Sequence, residues 1–153
     1  MLKAILFLIA GIPEMMGSLA MSLALARVPL RWGRIALVGS FISLMIFIVR
    51  DIYGLVGFHL LAGILLMVIF LIMTTHVPTS SSFLFVFIST AVVALVELAV
   101  QEPFLYFSGM QSEQVIQNQT IWTLLGITQG LIMIFLACIV RKLFKPKKDM
   151  WKR

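Results

Sequence analysis

The stretch Ile121–Val140, IWTLLGITQGLIMIFLACIV, runs twenty residues without a charge and is followed at once by Arg141 and Lys142. A helix rises about 1.5 Å per residue, so such a run covers about 30 Å, the thickness of a bilayer's hydrocarbon core. Working outward from it, four more apolar stretches appear: Ala4–Ala26, Ile35–Val49, Ile52–Met73 and Phe83–Val100. All are apolar on every side, whereas the strands of a membrane barrel would alternate in polarity over about ten residues. The fold class predicted is all-α, an integral membrane bundle of five transmembrane helices. Residues 1–140 make up the transmembrane domain and 141–153 a basic cytoplasmic tail. The second stretch is short, about 22 Å as helix, and the arginines at its two ends, Arg34 and Arg50, extend it by snorkelling to the interface.

Composition agrees with this reading. Hydrophobic residues make up 61% of the chain and charged residues 12%, with a mean hydropathy of +1.11. A soluble domain carries about 25% charged residues, so a soluble enzyme is excluded. One cysteine, Cys138, allows no internal disulfide, and two histidines are too few for a histidine-rich metal site. No cofactor and no metal are expected. Cys138 and His76 are poor partners for nucleophilic catalysis: the thiol sits inside an apolar helix and nothing orients the imidazole. The chain is read as non-enzymatic.

Charge placement sets the expected orientation. If the C-terminus is cytoplasmic, ten of the twelve basic residues share that face: Arg27, Arg31, Arg34, Arg141, Lys142, Lys145, Lys147, Lys148, Lys152 and Arg153. Lys3 and Arg50 remain on the other side, and the loop from Gln101 to Thr120 carries Glu102 and Glu113 with no basic residue. This is a strong positive-inside bias, with the N-terminus outside. The leader Met1-Leu2-Lys3, with Ala24-Leu25-Ala26 further on, superficially resembles a cleavable signal. Its apolar run is longer than a signal's core and is broken by Pro13-Glu14, so it is read as a retained span.

Five polar residues inside the spans are candidates for a ligand site or a polar network. Glu14 follows Pro13 near the middle of the first span, and an ionisable group at that depth is costly enough to be a functional candidate by default. Arg50, His59, Glu97 and Gln129 all fall in the outer half under the expected topology, so a site open to the outside is physically plausible. The structural alternative pairs Arg50 with Glu97 or Asp51 and gives His59 a carbonyl partner. A midplane carboxyl in a small membrane protein also suits a proton-coupled transporter built on Glu14. Small residues recur at packing intervals, Gly126 with Gly130 and Ser18 with Ser22 and Ala26, and point to tight internal helix contacts. In the tail, Arg141, Lys142, Lys145, Lys147 and Lys148 are placed to meet anionic lipid headgroups. Nucleic acid is not an expected partner, because Leu143, Phe144 and Trp151 suit an interface and no reading module accompanies the charges.

The segments Val28-Pro29-Leu30-Arg31-Trp32-Gly33-Arg34-Ile35, Val49-Arg50, Gly57-Phe58-His59, Ser82-Phe83-Leu84, Leu95-Val96-Glu97 and Gly126-Ile127-Thr128-Gln129, in that order, resemble the N-terminal membrane region of Firmicute sensor histidine kinases. The kinases in question are those of the sporulation-phosphotransferase and accessory-gene-regulator type. In that group the membrane region precedes a helical dimerisation segment and an ATP-binding domain, and some members sense small secreted peptides. The phosphorylatable-histidine helix and the nucleotide-binding boxes are not found in these 153 residues, so the resemblance implies no phosphotransfer. It implies a stand-alone sensor-like or accessory module of a bacterial plasma membrane, acting beside a separate kinase or another membrane protein and binding a small external ligand such as a peptide.

Overall fold

The structure, a computed structural model, describes residues 2–52 and 58–152. Its helices are α1 (Leu2–Leu25), α2 (Trp32–Phe47), α3 (Phe58–Thr74), α4 (Thr79–Ser108), α5 (Ser112–Gln117) and α6 (Gln119–Leu143). A π-helical turn, Ile48–Ile52, extends α2. Among the described residues no strand forms, and extended pairing is confined to one isolated bridge between Thr75 and Trp151. Four helices there are long and apolar enough to cross a membrane: α1, α2 with the start of its π-helical turn, α4 and α6; α3, at 17 residues, is apolar but shorter. The expected third span begins at Ile52, and its residues 53–57 lie outside the described residues, as does Arg153. Leu37, Phe87, Leu95 and Phe135 are exposed on the outer faces of these helices, as lipid-facing positions should be.

Small residues hold the bundle together, with α1 packed most extensively against α6. A Cβ placed on Gly126 would lie 2.9 Å from the Ala10 Cβ, one on Gly130 2.7 Å from the Pro13 carbonyl carbon and the Glu14 nitrogen, and one on Gly17 2.6 Å from the Met133 Cβ. The paired positions rise together, so α1 and α6 run parallel. On α2 the order reverses: Gly11 meets Ser43 and Met16 meets Gly39, so α1 and α2 are antiparallel. Ser89 of α4 donates its hydroxyl to the Ser18 carbonyl at 2.8 Å. The Gly126/Gly130 pair is thus an internal contact.

The apolar core lies toward one end of this bundle, where Leu19, Leu23, Val28, Ile35, Leu71 and Val86 are fully buried. The α1–α2 turn, the α3–α4 turn and the C-terminal segment meet there. Arg27, at φ 56°, takes the left-handed conformation that ends α1; Val28 N–H bonds to the Leu23 carbonyl and Arg27 N–H to that of Ala24, the paired bonds of a Schellman cap.

Two boundaries differ from the sequence reading. The helix expected over Phe83–Val100 starts at Thr79 and continues to Ser108, through Pro103. Gln101 bonds to the Glu97 carboxylate one turn back at 2.9 Å, and Gly109, at φ 64°, supplies the left-handed cap. What remains of the expected 101–120 loop is mostly α5. The tail also does not trail freely. Trp151 is buried, its indole N–H bonding to the Pro29 carbonyl at 2.8 Å, and the backbone N–H groups of Lys147 and Lys152 bond to the carbonyls of Arg27 and Thr74. The guanidinium groups of Arg31 and Arg34 lie 5.5 and 5.1 Å from the Trp151 ring centroid.

The α1–α6 contact yields a direct test. Gly130→Ala should destabilise the protein by about 1–3 kcal/mol, the usual cost of overpacking, in thermal unfolding in detergent. Gly33→Ala, at a position with nothing within 4 Å, should be nearly neutral in the same assay.

Candidate functional site

A cavity of about 320 Å³ lies between α1, α2 with its π-helical turn, α3, α4 and α6. Glu14, Arg50, His59, Glu97 and Gln129 all line it, so the structure brings the five sequence candidates together in one space. Packing explains the convergence. Gly130 lies against Pro13 and Glu14, which sets the neighbouring Gln129 at the level of Glu14. Arg50 lies 5.5 Å from the Phe7 ring centroid, seven residues or about 10 Å along α1 from Glu14. On α4, Glu97 stands eight residues beyond Ser89 and its bond to Ser18, between those two levels. Its charge and that of Arg50 both act on Glu14. His59 precedes by one turn Gly63, whose Cβ position would fall 3.2 Å from Ile46, and so belongs to the Arg50 end. The cavity occupies the half of the bundle away from the basic turns and tail.

Hydrogen bonding separates the polar side chains into two kinds. Ser18, Ser89 and Thr90 satisfy their hydroxyls on nearby helices or their own. Gln129 is 6% exposed and makes no side-chain hydrogen bond among the described residues. Ser43, buried at the cavity wall, leaves its hydroxyl without a partner, and Gly11 provides the room it occupies. Half-buried Glu14 likewise accepts no hydrogen bond among the described residues. The structural alternative's pairing of Arg50 with Glu97 does not form: Glu97 takes its bond from Gln101 and Arg50 stacks on Phe7. The side chain of Asp51, the other partner considered, lies outside the described residues. Among the described residues the cavity therefore presents the Glu14, Gln129 and Ser43 side chains without a hydrogen bond, against apolar walls that include Ile46, Leu60, Ile64, Trp122 and Leu125.

Ser43 and Thr90 escaped the sequence reading, since a lone hydroxyl in an apolar span usually bonds to its own helix. Their one available signal was position: Ser43 follows Gly39 by four residues, as the small residues of α1 do. The basic residues Arg141, Lys142, Lys145, Lys147 and Lys148 are exposed at the opposite end and take no part in the cavity. Among the described residues no set of three or more metal-ligating side chains converges.

The apolar helices fit a multi-pass membrane protein. The chain matches no protein-family model, no curated protein and no solved structure, so the cavity has to be read from its own chemistry.

Because the Gln129 amide has no hydrogen-bond partner among the described residues, Gln129→Leu should not destabilise the protein. Replacing a buried, unbonded amide by an apolar group of similar size should leave the melting temperature unchanged or raise stability by about 1 kcal/mol. A loss of 2 kcal/mol or more, on the order of a stranded buried bond, would show that the amide holds the fold together.

Proposed function

We propose that this chain is a non-enzymatic, sensor-like or accessory module of a bacterial plasma membrane, and that its cavity binds a small ligand from the outer side. The observation that carries the reading is the gathering of Glu14, Arg50, His59, Glu97 and Gln129 around one space of about 320 Å³. Ionisable groups at membrane depth are costly and mark functional sites by default, and binding sites are apolar pockets of this size with a few convergent polar groups. The resemblance to the membrane regions of sensor histidine kinases supports a signalling role.

In this reading the chain crosses the membrane five times, N-terminus outside and C-terminus inside. The α3–α4 turn meets the α1–α2 turn through the tail, which leaves α3 to return across the bilayer from the Arg50 end. The end holding Arg27, Arg31, Arg34 and the tail lysines faces the cytoplasm by the positive-inside rule, and its exposed lysines meet anionic headgroups. Reporters active only in the cytoplasm should work when fused after Lys152 and fail when inserted between Met110 and Gln111; activity at the latter position would overturn the orientation.

Glu14, placed in the cavity beside Pro13 inside α1, supports the second reading, a small proton-coupled transporter. Proteoliposomes separate the two. A sensor module should show ligand-dependent thermal stabilisation, about 2.7 kcal/mol at a hundredfold excess over Kd, with no proton-coupled flux. Flux abolished by Glu14→Gln would replace the sensor reading with the transporter.

A further inference from the structure

We infer that the ligand of this cavity carries a primary ammonium group on an apolar body, with the ammonium lodged between Glu14, Glu97 and Gln129. The inference rests on the proposed binding role and names the chemistry that the site selects.

Charge is the first argument. The cavity is lined by two acidic side chains, Glu14 and Glu97, the guanidinium of Arg50 and the imidazole of His59. Arg50 stacks on Phe7, about two helical turns from Glu14, and bonds to neither carboxylate. A positive charge placed near Glu14 would have both acidic side chains of the cavity beside it. The second argument is the supply of acceptors. Glu14 and Gln129 lie at the same level and their side chains take no hydrogen bond among the described residues, while Glu97 is engaged there by Gln101. An ammonium with three N–H donors can use all three residues; a quaternary ammonium has no N–H and would leave the Gln129 oxygen unpaired in a desolvated site. A carboxylate ligand seated by Glu14 and Gln129 would face both glutamates, with the Arg50 guanidinium stacked on Phe7.

The walls are the third argument. Ile46, Leu60, Ile64, Trp122 and Leu125 supply apolar surface for a hydrocarbon body. No three metal-type ligands converge among the described residues, so the acceptors suit a cation that brings its own apolar contacts better than a bare divalent ion. A free alkylamine and the amino terminus of a short apolar peptide share this chemistry.

The test is calorimetric titration of the full chain in nanodiscs, with empty nanodiscs as the blank, using hexylamine, hexyltrimethylammonium and hexanoate, and leucyl-leucine amide with a free or an acetylated amino terminus. Hexylamine should bind at least about tenfold more tightly than hexyltrimethylammonium, and hexanoate should not bind. If peptide is the source, the free dipeptide should exceed hexylamine and acetylation should abolish its binding; if alkylamine is the source, hexylamine should exceed the dipeptide. Glu97→Gln and Glu14→Gln should each weaken the better ligand by about tenfold or more, the loss expected for one charge-assisted bond. Gln129→Leu offers the same readout in a variant expected to keep its fold. Equal binding of the primary and quaternary amines, preference for hexanoate, or no binding by either amino compound would overturn the inference. Binding of hexanoate that Gln129→Leu removes would refute the ammonium while keeping the cavity as a ligand site; binding of any probe unaffected by all three variants would refute both.

Discussion

The backbone of α6 at Gly130 lies directly against the backbone of α1 at Pro13 and Glu14, and the rest of the bundle depends on that contact. A bilayer offers helices no hydrophobic drive to associate, so close backbone approach through small residues has to supply the attraction. Gly17, Gly126 and Gly130 permit it along three successive levels. The same approach has a chemical consequence. Pro13 has no N–H to give to its own helix, and the residues flanking the contact, Glu14 and Gln129, are brought to one level and turned into one space. The seam that joins the helices also places the polar groups.

From that seam the molecule divides into two unlike halves. Toward the basic end, leucines, isoleucines and valines fill the interior, and Trp151 closes it against the Pro29 carbonyl and the guanidinium groups of Arg31 and Arg34. Toward the other end the interior is a cavity with unspent polar capacity. A protein that needed these groups only as internal glue would bond them to one another; here the hydroxyls of Ser18 and Ser89 are bonded, and among the described residues the carboxyl of Glu14 and the amide of Gln129 are not. A tightly packed half carrying a cavity with unsatisfied groups is how a scaffold holds a site in a fixed shape.

Much of this was legible in the sequence. The all-helical class and the apolar helices follow from the runs of Ile121–Val140 and its counterparts, because lipid enforces continuous apolar sequence. The convergence of the five polar residues was partly legible as well, since span order and depth alone put Arg50, His59, Glu97 and Gln129 in the same half. Partners were not legible. Glu97 could reach Arg50 or Gln101 by spacing, and only helix rotation decides for Gln101. Nor was the fate of the tail: the basic residues that mark it as a headgroup-binding segment mask Trp151, which packs inward because its ring finds two guanidinium groups and a carbonyl. The continuation of α4 past Val100 was hidden by Glu102 and Pro103, which end an apolar run without ending the helix.

The central claim is that the polar groups face an accessible cavity rather than a sealed interior. The direct measurement is the reaction of a membrane-impermeant methanethiosulfonate, added from the outer side, with single cysteines at positions 97 and 129 in a Cys138→Ser background. Glu97→Cys and Gln129→Cys should be modified, whereas Leu131→Cys and Phe135→Cys, at exposed lipid-facing positions, should stay unreacted because a thiol in hydrocarbon does not ionise. Protection of both cavity positions, with the protein folded, would contradict the account.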